Sequence, residues 1–245
     1  MNKLFDFYEG VQLESKYHLL NDDKYIYFLR NKTKISPWHD INYINSDGTI
    51  NMVCEIPRYT RKKYEIQRDI EYNPIVQDRI FGEPREYKYG DMLFNYGAIP
   101  QTWEDPNILC DSTMKYGDND PLDIIDIGDT QAKVGYVYKV KILGVLALID
   151  EGETDWKVIG INVKDENSDK ITCLEEVEEF KPGCLKAVKR WFENYKTARG
   201  KKKNCFAFGG QYKDMNYTRR VIDRCHEMWR VKFCTDPNDT IVDVV

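Results

Sequence analysis

VGYVYKVKILGVLALI, residues Val134 to Ile149, is the most apolar run in the chain. It is rich in β-branched residues and reads as one long strand, with a bend at Gly144 where a side chain is missing. Lys139 and Lys141 interrupt it, and it is shorter than the roughly 20 apolar residues that cross a bilayer. Downstream, Trp156 to Val163 reads as a second strand, entered from the glycine-containing loop Asp150-Glu-Gly-Glu-Thr-Asp155. Upstream, Ile50 to Pro57 reads as a strand stopped by proline, and Lys63 to Gln67 alternates as a half-buried strand does. The helices come afterwards. Leu185, Val188, Phe192 and Tyr195 fall on one helical face behind Pro182 and Gly183. A second helix is predicted from about Lys213 to Trp229, with Tyr217, Val221, Cys225 and Met228 on one stripe. Strands followed by helices indicate an α+β fold with a mainly β core and two C-terminal helices packed on it. The pattern does not separate a closed barrel from a curled open sheet.

No repeat and no long linker interrupts the 245 residues, which are read as a single domain. It comprises an aromatic-rich arm over 1–49, a core over 50–230 and a tail over 231–245. A formal net charge of -5 argues against a general nucleic-acid binder, which carries a basic field. It does not argue against a small phosphate ligand, since a local cation cluster can reverse the sign within one cleft. The seven cysteines are odd in number and never spaced C-x-x-C, so they read as reduced thiols rather than a disulfide or zinc framework. The opening MNKLFDFYEGVQLESKYHLL has charge too early for a signal peptide and acids unsuited to a transit peptide. A soluble cytoplasmic protein without membrane contact is the expectation.

Chemistry concentrates in GDNDPLD, where Asp118, Asp120 and Asp123 are followed by Asp126 and Asp129. Close carboxylates repel unless cations neutralise them, and Pro121 forces Asp120 into an extended conformation. Oxygen ligands without His or Cys select Mg2+, Mn2+ or Ca2+. Leu122 and Asp123 stand where an EF-hand needs an oxygen ligand and a glycine, so that motif is excluded. Asp126 and Asp129 are assigned to an acidic surface turn. In the second acidic group, Asp155 and Lys157 lie two residues apart on one strand face, where a salt bridge would hold the carboxylate. Lys63 and Glu65 share a strand face in the same way. Arg85, Tyr96, Tyr195 and Lys196 carry no message in isolation. Together the inventory fits phosphoanhydride hydrolysis, which needs cations, a proton-accepting carboxylate and fixed donors for phosphate oxygens. No P-loop and no G-x-S-x-G is present, and His18, His39 and His226 have no metal-ligand spacing and are taken as structural or exposed.

GDNDPLD resembles the signature of soluble family I inorganic pyrophosphatases, and four further blocks join it in order. They are Glu55-Ile-Pro-Arg58 with Lys63-x-Glu65, the run from Asn95 to Pro106, Asp150 to Lys157, and Trp191-Phe192 leading to Tyr195-Lys196. The resemblance covers about residues 50 to 230 and is to the eukaryotic type. It implies a small, twisted five-stranded OB-like β-barrel with helices outside. It also implies a Mg2+-dependent hydrolase of diphosphate, with Mn2+ as a substitute, forming a homodimer. Asp118, Asp123 and Asp155 would hold the first metal, with Asp123 bridging to the second. Asp150, Asp155, Glu65 and, more distantly, Glu55 would serve the metals that arrive with substrate. Asp120 would be the general base towards a metal-bridged hydroxide that attacks in line, without a covalent intermediate. Arg85, Tyr195 and Lys196 would grip the leaving phosphate, Lys63 and Tyr96 the attacked one, and Lys157 would support the acidic site.

Two segments depart from the pattern. Arg199-Gly-Lys-Lys-Lys203 is unusually basic and reads as a solvated loop, and Phe208-Gly209-Gly210 lacks the expected Ser and Glu. Two competing functions fit the residues less well. A hydrolase of larger phosphoanhydrides would need a base-stacking pocket for which no motif exists. An OB-like nucleic-acid module stacking bases on its aromatics is opposed by the acidic balance.

Overall fold

The computed structural model of the chain describes residues 17–22 and 24–234. The beginning of the leader and the end of the tail, with the readings made of them above, lie outside the described residues. In chain order, the arm contributes β1 (His18–Asp22), β2 (Tyr25–Arg30) and β3 (Thr33–Ile35). The next stretch holds β4 (Ile50–Ile56), β5 (Tyr64–Ile66), β6 (Ile75–Gln77) and a hairpin of β7 (Arg79–Ile80) and β8 (Glu83–Pro84). Then come β9 (Asn95–Ala98), a hairpin of β10 (Leu109–Cys110) and β11 (Lys115–Tyr116), and β12 (Asp123–Asp126). The long strands β13 (Val137–Asp150) and β14 (Glu153–Asn162) precede α1 (Leu174–Phe180) and α2 (Cys184–Asn194). A short β15 (Cys205–Phe206) and α3 (Met215–Phe233) complete the order.

The apolar run quoted above forms β13, which pairs antiparallel with β14 on one side and β4 on the other. β4 pairs antiparallel with β9, β9 with β12, and β12 runs parallel to β14. The pairings therefore pass round five strands and return to β13. The expected bend is present: the β13–β14 register shifts between Ile142 and Gly144. Gly144 is required there because a Cβ would come within 2.7 Å of the Lys213 carbonyl oxygen.

The two faces of these strands feed two cores. Ile50, Met52, Ile124, Val145 and Val158 pack with Val221, Ile222 and Cys225 of α3. Ile56, Ile125, Leu148, Ile159 and Ile161 pack with Val177, Leu185, Val188, Trp191 and Phe192 of α1 and α2. Each such fully buried side chain contributes about 1.5–3 kcal/mol through loss of apolar surface to water. The arm does not stand apart, since β2 pairs with β6, and Phe28, Trp38 and Ile41 share a third core with Val53, Ala98 and Trp229.

The helices refine the sequence expectation in three ways. α3 begins at Met215 because Asp214 accepts the Tyr217 N–H at 2.8 Å, while Lys213 is engaged with the Val145 backbone. Its buried stripe is Thr218, Val221, Ile222, Cys225 and Trp229. Trp229 turns inward to donate its indole N–H to His39 Nδ1 at 2.8 Å, whereas Tyr217 and Met228 stay only partly covered. α1 lies outside the sequence expectation, because Leu174, Val177 and Phe180 span less than two turns and only Val177 is buried.

Asp126 is a correction. It was assigned to a surface turn but is fully buried, because β12 carries it into the sheet. Its oxygens accept from Asn95 Nδ2, the Tyr138 hydroxyl and the backbone N–H groups of Gly128 and Asn162, at 2.9–3.0 Å. Four donors offset the cost of burying the charge. Asp129 is exposed and ion-paired with Arg58 and Lys181. The seven cysteines are unpaired thiols. Among the described residues, no helix is long and apolar enough to cross a membrane.

Gly97 tests how tightly the strand pairings are set. A Cβ on it would lie 1.9 Å from the Val53 carbonyl oxygen of the neighbouring strand. Gly97→Ala is expected to lower stability by at least about 1–3 kcal/mol, the usual cost of overpacking, measured by urea denaturation.

Candidate active site

The hairpin joining β13 to β14 turns through Glu151 and Gly152, both in the left-handed region with φ of 51° and 101°. A two-residue turn of this hand matches strand twist and is the reason a glycine stands here. It sets Asp150 at the end of β13 and Asp155 on β14, paired with Leu148. Parallel pairing then puts Asp123 of β12 beside Lys157 of β14. Two loops are thereby committed to one cleft.

Lys157 is 2% exposed, and its ammonium donates to Asp123 Oδ2, Asp155 Oδ1 and the Tyr96 hydroxyl. Burial alone would discharge it, but the two carboxylates hold it protonated well above the usual lysine range. The Tyr96 hydroxyl in turn donates to Asp123 Oδ2. Burial pushes the Asp155 carboxyl up to about 8, with Lys157 opposing the shift. The expected Asp155–Lys157 bridge is therefore present, and Asp123 joins it from another strand.

Around this centre the remaining side chains stand in opposite-charge pairs. Lys196 and the Tyr195 hydroxyl both reach Asp150, the tyrosine at 2.7 Å. Lys63 pairs with Glu65, as expected from their shared face, and lies 3.7 Å from Asp78. Arg85 pairs with Asp78 at 2.7 Å. Partial burial works against ionisation of Asp78, yet Arg85 and Lys63 hold its carboxyl below the usual range. Glu55 is buried on β4 and accepts the Ile66 N–H at 2.7 Å. Burial and then Asp123 push its carboxyl well up. Asp120 is exposed to the cleft, with one oxygen 3.1 Å from Arg68 Nε.

Every side chain nominated from the sequence lines one cleft of about 1120 Å³: Glu55, Lys63, Glu65, Arg85, Tyr96, Asp118, Asp120, Asp123, Asp150, Asp155, Lys157, Tyr195 and Lys196. Three participants were missed. Arg68 follows the strand that was read and gave no signal beyond its charge. Asp78 is a lone acid after β6. Glu104 sat inside a quoted block, the run from Asn95 to Pro106, where its position next to Trp103 hid it among core residues. The basic loop also reaches the site: Arg199 and Lys201 line the cleft rim, with Lys201 paired to Glu151.

Glu104, Asp118 and Asp155 each place a carboxylate oxygen within 4.8 Å of the others. A largely buried, all-oxygen, like-charged donor set fits a hard divalent cation and not zinc or copper. Carboxylates and the cations Lys63, Arg85 and Lys196 line the same cleft, which suits a polyanion accompanied by cations.

A mainly β chain with such a cleft has the build of a metal-assisted phosphoryl hydrolase, and the comparisons narrow this class. The model of the inorganic pyrophosphatase family matches residues 52–230, and the chain belongs to that family. It is 44% identical over 223 residues to the inorganic pyrophosphatase of Yarrowia lipolytica, covering 89% of this chain and 78% of that one. It is 45% identical over 229 residues to inorganic pyrophosphatase 1 of Caenorhabditis elegans. That match takes in 91% of this chain and 53% of the nematode protein, so the chain spans about half the length of that relative. A solved structure of the N-terminally truncated Trypanosoma cruzi vacuolar soluble pyrophosphatase with PPi superposes with a TM-score of 0.82 at 38% identity. It covers 95% of this chain and 99% of that one.

Lys157→Met is expected to lower stability by about 3–5 kcal/mol at neutral pH, because it leaves Asp123 and Asp155 facing one another without a cation. Urea denaturation in the absence of divalent metal measures this.

Proposed function

We propose that this chain hydrolyses inorganic diphosphate to two phosphates with Mg2+ as its cofactor. The observation that carries the reading is the convergence of Asp118, Asp120, Asp123 and Asp155 with Lys63, Arg85 and Lys196 in one cleft, in a member of the inorganic pyrophosphatase family. The PPi complex of a structural relative supports the choice of substrate.

Asp118, Asp123 and Asp155 would hold the resident cations, and Asp150, Glu65 and Glu55 those that accompany the substrate. Bound cations would offset the charge of the diphosphate and acidify water near neutral pH. The remaining work falls to side chains of this chain. Asp120 is exposed where Asp118, Asp123 and Asp155 are half-buried or buried, and it accepts the proton of the attacking water. Arg68 holds one Asp120 oxygen, its Nε 3.1 Å away. Arg85, Tyr195 and Lys196 grip the leaving phosphate, and Lys63 and Tyr96 orient the attacked one. Asp78, Asp150, Glu65 and Asp123 keep these donors in place, so binding exchanges one anionic partner for another and costs little reorganisation. Lys157 contributes positive charge between two of the ligands. Attack in line on phosphorus releases the second phosphate directly, and no covalent intermediate is formed.

The circuit of strand pairings supports a small closed barrel of OB-like topology. We read the chain as one catalytic unit over 50–230, carrying an arm before it and a tail after it. A homodimer, a cytoplasmic location and Mn2+ as a substitute ion complete the reading on the strength of the resemblance. Unpaired thiols are in keeping with a reducing compartment.

Phosphate release from pyrophosphate is expected to require Mg2+ and to fall at least about tenfold in Asp120→Asn, the scale of a lost general base. Equal turnover in the two proteins removes Asp120 from that role, and no turnover by the wild type overturns the proposed activity.

A further inference from the structure

Glu104 is the one member of the close carboxylate trio that the site reading leaves without a task. It lies in the segment between β9 and β10 and is 4% exposed. Its backbone is paired to the acidic loop in both directions. The Glu104 N–H donates to the Asp120 carbonyl, and the Glu104 carbonyl accepts the Asn119 N–H, both at 2.9 Å. Gly117, at the start of that loop, packs so closely that a Cβ there would lie 2.4 Å from the Glu104 carbonyl oxygen. The side chain reaches the other half of the site, where Oε1 accepts the Trp156 N–H at 3.1 Å. Trp156 stands between Asp155 and Lys157 on β14. One residue thus ties the loop bearing Asp118 and Asp120 to the strand bearing Asp155. Its carboxylate also adds charge at their junction.

The geometry points to Glu104 as a positioning residue of the metal centre, setting the separation of Asp118 and Asp155 through the Trp156 N–H and contributing its charge to the attraction of the cation. Partners that orient metal ligands without being required as ligands typically change metal affinity 10–100-fold when altered. The inference rests on Asp118 and Asp155 being metal ligands, and its test separates the two.

Binding of Mg2+ alone, without substrate, is measured by calorimetric titration of the full chain as wild type, Asp118→Asn, Glu104→Gln and Glu104→Asp. Denaturation midpoints are recorded for each. Glutamine keeps an acceptor for the Trp156 N–H and removes the charge, so Glu104→Gln is expected to retain the wild-type midpoint or exceed it while binding Mg2+ about 10–100-fold more weakly. Aspartate keeps the charge but shortens the reach to Trp156. It therefore weakens binding by loosening the anchor, and it serves alone if the glutamine variant does not fold. Wild-type affinity in the folded Glu104 variants, alongside weakened binding in Asp118→Asn, overturns the role of Glu104 and leaves the metal reading standing. Absence of Mg2+ binding by the wild type, or full affinity in Asp118→Asn, overturns the metal reading and this inference with it.

Discussion

The ammonium of Lys157, buried between Asp123 and Asp155, is the interaction on which the rest of the cleft depends. It exists because β12 and β14 run parallel in a register that sets Asp123 beside Lys157, while period-2 geometry sets Asp155 on the same face of β14. A charge enclosed to this degree is tolerable only when it is paired and hydrogen-bonded, and the Tyr96 hydroxyl supplies a further partner from β9. Three neighbouring strands thus meet at one side chain. The two apolar cores then hold those strands, with α3 packed on one face and α1 and α2 on the other.

The same economy governs the rim. Carboxylates proposed to hold cations lie in reach of the lysines and tyrosines proposed to hold phosphate: Asp150 with Tyr195 and Lys196, Glu65 with Lys63, Asp123 with Tyr96. Pairing of this kind costs little at an open rim and more in the interior, where desolvation grows. Asp155, Glu55 and Glu104 sit at the costly end, and burial is the first cause raising each of their carboxyls. A cleft that mixes both signs in this way suits a polyanion that arrives with cations.

Much of this was legible in the residues. GDNDPLD, the Asp155–Lys157 spacing and the Lys63–Glu65 spacing each carried a local rule, and local rules survive folding. Asp126 shows where such reading stops. Its place in an acidic run argues for a surface turn, yet strand pairing carries it inward to four donors that no local pattern announces. Glu104, Arg68 and Asp78 were hidden for the same reason, since each acts on a residue distant in the chain: Trp156, Asp120 and Arg85. The helix LEEVEEF went unread because Leu174, Val177 and Phe180 span less than two turns, too short a run for a periodicity to stand out.

By itself the sequence determined the places of β4, β5, β13, β14, α2 and α3, the bend at Gly144 and the kinds of side chain available for the chemistry. Periodicity, glycine placement and residue type are properties of short segments, which need no knowledge of distant neighbours. Only the tertiary structure decided that β12 lies between β9 and β14, that Asp123 shares a lysine with Asp155, and that Glu104 lies beside Asp118 and Asp155. Those are distances between segments, and they follow from which apolar faces are buried together.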